Sequence, residues 1–301
     1  MRLASALLLA LLLPALPARA QAPARPEPAP AARAFLWEVS SLTNRAYLFG
    51  TVHAGKPSFY PMAEVVEMAL VDSKVLAVEA DITDAEAMGK GAGGMLLAPP
   101  GRLDKLVPGP LYERFRRQLA RFSIPEEQVQ RFKPFTAATL LAFEEWSRLG
   151  YMPQYGVDLY LIQKARGAGK RIVEIEGAQV QAQLIDSLTP AQSLAAFEGV
   201  VGALENGLTR DQITGLVNAW QSGDPALLLE VARRYNESVP GSREIEELFI
   251  WSRHEAMIGR IDDFLLSSRE RHFIAVGALH LAGPRGLVEL LRKRGYIVRQ
   301  L

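Results

Sequence analysis

Residues 46–53 (AYLFGTVH) and residues 273–280 (FIAVGALH) share one pattern, in which a short apolar run ends in Gly-x-x-His. Short apolar runs with aromatic and β-branched residues are typical of buried β-strands, so each histidine is predicted to follow the carboxyl end of a strand. The glycine three residues earlier permits a sharp exit from the strand and a close approach of another backbone or of a ligand.

The two segments also continue alike. Apolar residues at helical spacing over 62–70 lead to a predicted strand at 75–78, and a predicted helix at 286–294 leads to a strand at 296–298. Strands that alternate with helices predict an α/β fold, with a mostly parallel central sheet built from two strand–GxxH–helix–strand halves. The helical pattern between about 103 and 266, interrupted by one strand, predicts a large helical insertion that covers one side of the sheet.

The start of the chain resembles a targeting segment. Residues 1–20 combine an early arginine, an apolar run and small residues around a cleavage position after Ala20, which predicts a signal peptide and a periplasmic or secreted protein. Residues 21–33 are rich in proline and alanine and predict a flexible linker before a domain at 34–301. Within that domain, the glycine-rich residues 89–94 predict a mobile loop.

Composition and missing motifs exclude several classes of function. Basic and acidic residues nearly cancel, 34 against 33, and no dense basic stretch suggests nucleic acid as a partner. After signal cleavage no apolar stretch is long enough to span a bilayer, and the oligomeric state stays open. The absence of cysteine excludes disulfides, thiolate metal sites and a thiol nucleophile. Neither a Gly-x-Ser-x-Gly elbow nor a phosphate-binding loop is present.

Four side chains are predicted to meet where the strands end, because ligands of open α/β sheets bind at that edge: His53, Glu79, Glu176 and His280. Two imidazoles and one carboxylate are a standard ligand set for Zn²⁺, Mn²⁺ or Fe²⁺, and such a metal lowers the pKa of bound water toward ~7. The other carboxylate then serves as a general base or orients a ligating histidine. The alternative is that each histidine caps a helix or satisfies a buried carbonyl, but two such turns in matched contexts favour a functional site.

Arg253 and His254 are predicted to lie on a helix whose polar edge faces this site. Arg253 is suited to neutralise a carboxylate or a developing oxyanion, although its spacing fits a surface ion pair equally well. The pair His254-Glu255 is not the start of a metalloprotease helix motif, because Ile258 stands where the second histidine is required. His272 begins a predicted strand and is therefore out of line with the other histidines.

Several segments together resemble the TraB/GumN family, nearly across the whole mature chain and in the order expected for it. The matching segments are residues 47–53 (YLFGTVH), 58–61 (SFYP), 75–81 (VLAVEAD) and 155–158 (YGVD), Glu176-Gly177 with Gln181, Gly223-Asp224, and residues 276–281 (VGALHL).

This resemblance implies kinship with the Tiki membrane metalloproteases, in which paired Gly-x-x-His motifs and a glutamate are held to be essential, and a more distant kinship with erythromycin esterases and ChaN-like haem-binding lipoproteins. By position, it implies that His53, Glu79 and His280 form the active-site core and are the metal ligands. It also implies a catalytic set in which Asp158, Glu176 and Arg253 act together with Glu79 and support that core. One departure is that the family often has Arg-Asn where this chain has Arg253-His254.

The resulting hypothesis is a metal-dependent peptidase or related hydrolase that uses Mn²⁺, Co²⁺ or Zn²⁺ and acts on a peptide or small molecule outside the cytoplasm. A first alternative is a binding protein for haem, iron or a peptide, with the same histidines as ligands and no turnover. A second is a non-enzymatic inhibitor that captures an exported peptide signal.

Overall fold

Six strands form one sheet in residues 33–301, the part of the chain that the computed structural model describes. The strands are Leu36–Ser40 (β1), Arg45–Thr51 (β2), Val75–Val78 (β3), Arg171–Glu174 (β4), His272–Gly277 (β5) and Ile297–Gln300 (β6). The predicted signal peptide at 1–20, and the predicted linker at 21–33 except its last residue, lie outside the described residues.

The sheet order is β4-β3-β5-β2-β1-β6. The pairs β4/β3, β3/β5 and β5/β2 are parallel, whereas β1 runs antiparallel to both β2 and β6. Strand β5 from the end of the chain therefore lies between β2 and β3. The prediction of a mostly parallel α/β sheet is confirmed, and the insertion of β5 brings the ends of β2, β3 and β5 to one edge.

Helices surround this sheet, and most of them lie between β3 and β5. They are α1 Glu64–Asp72, α2 Ala85–Ala92, α3 Leu103–Leu106, α4 Gly109–Phe122, α5 Pro134–Arg148, α6 Val157–Gly167, α7 Ala178–Ser187, α8 Pro190–Glu205, α9 Leu208–Gln221, α10 Pro225–Ser238, α11 Ser242–Phe249, α12 His254–Leu266 and α13 Leu287–Lys293. Short 3-10 helices occur at Pro57–Phe59, Gly93–Met95, Glu126–Gln128, Pro153–Tyr155, Trp251–Arg253 and Ala278–Leu281. Among residues 33–301, none of the helices combines the length and apolarity needed to cross a bilayer.

Two hydrophobic cores hold these layers together. The larger one joins both faces of the sheet to helices such as α6 and α12, and its fully buried residues include Phe273 and Leu161. The smaller one lies within the helical part, where Phe115 of α4 packs against Phe197 of α8, with ring centroids 4.9 Å apart. Helices α4, α5 and α8 of the insertion therefore have a core of their own, as a large insertion requires.

The prediction of a mobile loop at residues 89–94 is wrong, because helix α2 and the 3-10 helix Gly93–Met95 occupy this stretch. The side chain of Asp84 starts α2 by accepting hydrogen bonds from the backbone N–H groups of Glu86 and Ala87. A Cβ at Gly94 would lie 2.9 Å from the carbonyl oxygen of Ala182. Here the glycine allows close packing against α7 rather than mobility.

The two Gly-x-x-His turns touch each other because their glycines leave room. A Cβ at Gly50 would lie 2.5 Å from the Phe35 ring and 3.0 Å from the Cα of Ala278. The indole N–H of Trp220 donates a 2.7 Å hydrogen bond to the carbonyl of Gly50 and holds the first turn in place. Neither Gly50 nor Gly277 has a positive φ, so both turns need glycine for space and not for an unusual backbone conformation.

Candidate functional site

A cavity of about 420 Å³ lies over the edge at which β2, β3 and β5 end. Its floor is polar and consists of His53, Glu79, Gln181, Arg253 and His280. These side chains arrive from different elements: His53 and His280 from the two turns, Glu79 from the end of β3, Gln181 from α7, and Arg253 from the 3-10 helix that leads into α12. The topology thus brings together residues that are far apart in the chain.

His53 is the open group of this floor, with 63% of its side chain exposed. Its Nδ1 lies 2.8 Å from Oδ2 of Asp158, the second residue of α6, and the hydroxyl of Thr51 donates a 2.6 Å hydrogen bond to Oδ1 of the same carboxylate. Asp158 raises the pKa of His53 to about 9, against a smaller opposing effect of burial. Asp158 therefore fixes the ring and favours its protonated form, while Nε2 is left toward the cavity.

Glu79 is buried, with 7% exposure. Its Oε1 accepts a 2.6 Å hydrogen bond from the backbone N–H of Gly277, and its Oε2 accepts from Gln181 at 3.1 Å and from Arg253 at 2.5 Å. Burial favours the protonated acid, but His280, Arg253 and the Gly277 amide together outweigh it and lower the pKa of Glu79 to about 2. Glu79 is therefore a carboxylate at neutral pH.

Arg253 is buried as well, and all five of its N–H donors have acceptors. Its Nε donates to both carboxylate oxygens of Glu176 at 3.1 Å, and Nη1 donates to the Phe249 carbonyl at 2.7 Å and to Nε2 of His280 at 3.2 Å. The two N–H groups of Nη2 bind Glu79 and Glu176. Arg253 is thus a bridge between two buried carboxylates and not a surface ion pair, and it has no donor left for an oxyanion.

His254 and His280 form a chain of hydrogen bonds that fixes both tautomers. Nδ1 of His254 lies 2.7 Å from the carbonyl oxygen of Arg285, so this nitrogen carries the proton. Nε2 of His254 then accepts a hydrogen bond from Nδ1 of His280 at 3.0 Å, which leaves Nε2 of His280 to accept from Arg253. Burial lowers the pKa of His254 and lowers that of His280 to about 3, so both rings are neutral at pH 7.

Of the predicted site residues, His53, Glu79, Arg253 and His280 line the cavity, whereas Asp158 and Glu176 lie behind them and hold His53 and Arg253. The fourth histidine, His272, is at the other end of β5, where it stacks on a phenylalanine ring. The strand ends and the family resemblance were the signals for the predicted set.

Sequence reasoning missed three groups at the site as hydrogen-bond partners: the side chains of Thr51 and Gln181, and the backbone N–H of Gly277. It placed His254 toward the site but did not identify its partners, the Arg285 carbonyl and His280. Gln181 was within a segment that carried the resemblance, and His254 marked a departure from the family pattern, so both had a signal in the sequence. No sequence signal pointed to Thr51 or to the Gly277 amide. A backbone donor such as that of Gly277 is common to nearly every residue and therefore leaves no trace in the sequence.

The predicted metal ligands His53, Glu79 and His280 surround a small space beside Gly277. A Cβ at Gly277 would lie 3.4 Å from Oε1 of Glu79, 3.5 Å from the His280 ring and 3.8 Å from Nε2 of His53. Both nitrogens of His280 are already engaged, however, and a permanent cation, Arg253, contacts two of the three predicted ligands, Glu79 and His280. Within the described residues, His, Asp and Glu side chains form no group of three placed to hold a metal ion. In this arrangement the three residues do not fit a metal site.

A profile of the TraB/PrgY/gumN family matches residues 35–300. The chain belongs to this family. The matched range includes the two turns and each site residue described above, so the cavity floor is part of the family domain. No solved structure matches the chain significantly.

Relatives of this family member include a bacterial protein and animal proteins. The protein YbaP of Escherichia coli (strain K12) is 22% identical over 262 residues, which cover 86% of this chain and 93% of YbaP. Metalloprotease TIKI1 of Xenopus tropicalis is 24% identical over 309 residues, and metalloprotease TIKI2 of the same organism is 25% identical over 312 residues. These matches cover 88% of this chain but only 61% and 59% of the two TIKI proteins.

Proposed function

We propose that this chain is a hydrolase of peptides or related small molecules and that the cavity floor is its reaction centre. The observation that carries the proposal is His53, whose Nε2 is left toward the cavity beside Glu79 while Asp158 holds the other ring nitrogen. The names of the TIKI relatives support peptidase chemistry. The targeting pattern of residues 1–20 supports action outside the cytoplasm.

Hydrolysis of an amide requires a proton for the leaving nitrogen and a group that takes a proton from the attacking water. His53 is placed for both transfers at Nε2: the neutral ring takes a proton from the attacking water, and the protonated ring then gives that proton to the leaving nitrogen. Its raised pKa favours the second transfer and makes the neutral ring the minor form at neutral pH. Glu79, with a pKa of about 2, is a weak base at that pH. Since Oε1 has one lone pair beyond the bond from Gly277, Glu79 is suited to orient a water molecule.

A requirement for Mn²⁺, Co²⁺ or Zn²⁺ stays a prediction that the metalloprotease names of the relatives support. Because His280 accepts from Arg253, a metal would be held by the spare lone pair of Glu79 and by Nε2 of His53, which must first lose the proton that Asp158 favours. We therefore expect that any bound metal depends on His53. Metal analysis of the purified protein beside His53→Ala tests this, and equal metal content in both proteins would contradict it.

Activity is tested by incubating the protein with a mixture of synthetic peptides, with EDTA or with each of the three metals, and identifying products by mass spectrometry. We expect cleavage by the wild type and loss of cleavage in His53→Ala and Asp158→Asn, because the first removes the proton carrier and the second the charge that orients it. The matched control is His272→Gln, which changes a histidine at the other end of β5. Unchanged peptide cleavage by the His53→Ala variant would refute the proposal.

A further inference from the structure

The walls of the cavity differ in chemistry from its floor. Above the polar floor, the walls are formed by apolar side chains of the covering helices and the segments between them, among them Met88 on α2, Met95, Ile185 on α7, Leu216 on α9 and Ile250. A site of this volume with apolar walls and a few polar groups at one end is typical of pockets that bind small, mostly apolar ligands.

Several of these wall residues are not explained by folding. Met88, Met95, Ile185 and Ile250 line the cavity but belong to neither of the two hydrophobic cores of the described chain. Met88 is 36% exposed. Leaving apolar side chains toward a water-filled space costs free energy unless something apolar covers them. Because these side chains line the same cavity as His53 and Glu79, we expect the substrate to cover them.

The floor offers an anionic substrate group no cationic partner that is open to the cavity except His53. Arg253, the permanent cation of the floor, has each of its five donors engaged by the protein. Besides His53, the charged side chains there are the carboxylates of Glu79, Glu176 and Asp158. A carboxylate or phosphate in the cavity would lose its hydration among these carboxylates, and its open cationic partner in the floor would be His53, the proton donor of the proposed reaction.

We infer that the cavity binds an uncharged apolar side chain, of the size of leucine or phenylalanine, next to the bond that is cleaved. This inference rests on the proposed peptidase function and names its substrate class: peptides with a large apolar residue beside the cleaved bond. The two methionines, with flexible side chains, allow apolar groups of different shapes to be accepted.

The first test compares cleavage of peptides that are identical except for Leu, Phe, Gly, Asp or Lys at one position beside the cleaved bond. We expect kcat/KM for the Leu and Phe peptides to exceed that for the Gly peptide at least about 10-fold, since a single methylene in an apolar pocket is worth ~10-fold or more. Met88→Asp and Ile185→Asp should remove this preference. Met68→Asp is the matched control, because Met68 is 59% exposed on α1 and does not line the cavity.

The second test measures binding without turnover, which separates failure of this inference from failure of the proposed function. One probe is N-acetyl-phenylalaninamide, and the other is N-acetyl-aspartic acid α-amide, whose side-chain carboxylate is charged. Each compound is titrated into the full-length protein, and binding is followed by NMR. We expect only the apolar compound to bind, and Ile185→Asp to weaken it at least about 10-fold. Binding without any peptide cleavage would refute the function and keep the inference. Equal binding of both compounds, binding of neither, or cleavage without apolar preference would overturn it.

Discussion

Replacement of Arg253 by methionine removes the bridge between Glu79 and Glu176 while it keeps the length of an unbranched side chain. The side chains of the two glutamates are only 8% and 5% exposed, so their carboxylates would face each other with little water and no cation. Removal of one partner from a buried ion pair costs about 3–5 kcal/mol, because the remaining charge is buried without compensation. We expect a loss of that size in the free energy of unfolding at pH 7.

The pH dependence of this loss provides a sharper check. The folded pKa of Glu79 is about 2, against an ordinary value of 4.5. Its contribution to stability is therefore fully present above pH 4.5 and is lost as the pH falls toward 2, by about 3 kcal/mol in total. Without Arg253 the pKa of Glu79 rises, and much of this acid-induced loss disappears. The difference between wild type and variant should thus be smaller at pH 3 than at pH 7.

The measurement is urea unfolding at pH 7 and pH 3, in EDTA so that no metal contributes. Arg233→Met is the matched control, because Arg233 pairs with Glu237 on the surface of α10, where the two side chains are 57% and 45% exposed. Such a pair contributes roughly 0.3–0.5 kcal/mol. A cost below 1 kcal/mol for Arg253→Met, or the same cost at both pH values, would refute the reasoning.

Three further changes test other contacts of the site. Gly277→Ala should keep or slightly raise the melting temperature, since the backbone has φ −51° and the added methyl group makes ordinary van der Waals contacts. It should nevertheless reduce peptide cleavage, because the methyl group fills the space beside Glu79. A lower melting temperature with full activity would contradict this. His254→Phe should lower the free energy of unfolding by about 1–3 kcal/mol, because it leaves the buried Nδ1–H of His280 without an acceptor. His254→Gln should lower it less, and equal unfolding midpoints of the two variants in urea would count against the assigned tautomers. Trp220→Phe should cost about 1–3 kcal/mol in thermal unfolding through loss of the bond to Gly50, and an unchanged melting temperature would exclude that bond as a determinant of the first turn.

Much of the fold was predictable because its signals are local. An apolar run of four or five residues, or apolar residues at helical spacing, is visible in a short window of sequence. The position of β5 between β2 and β3 was not predictable in this way, because Tyr47 pairs with Phe273 and such pairing leaves no local trace. The glycine-rich residues 89–94 led to a wrong prediction for a related reason, since Gly94 serves close packing on α7, which requires the same residue type as mobility.

The site was predictable to the extent that strand ends determine it. His53, Glu79 and His280 follow strands, so the sheet alone carries them to one edge. Arg253 depends instead on how the segment before α12 docks, and spacing cannot distinguish a buried bridge from a surface pair. The hydrogen bond from His280 to His254 is equally non-local, as is the one that Nε2 of His280, the nitrogen beside Glu79, accepts from Arg253.

The contact between Gly50 and Ala278 also has a mechanical consequence. With no Cβ at position 50, the backbones of the two turns are in direct contact, and Trp220 clamps the first of them from the other side. The turns that carry His53 and His280 are therefore coupled by direct backbone contact. We therefore expect that a bulky molecule widens the cavity by displacing the wall helices, while the spacing of His53 and His280 stays the same.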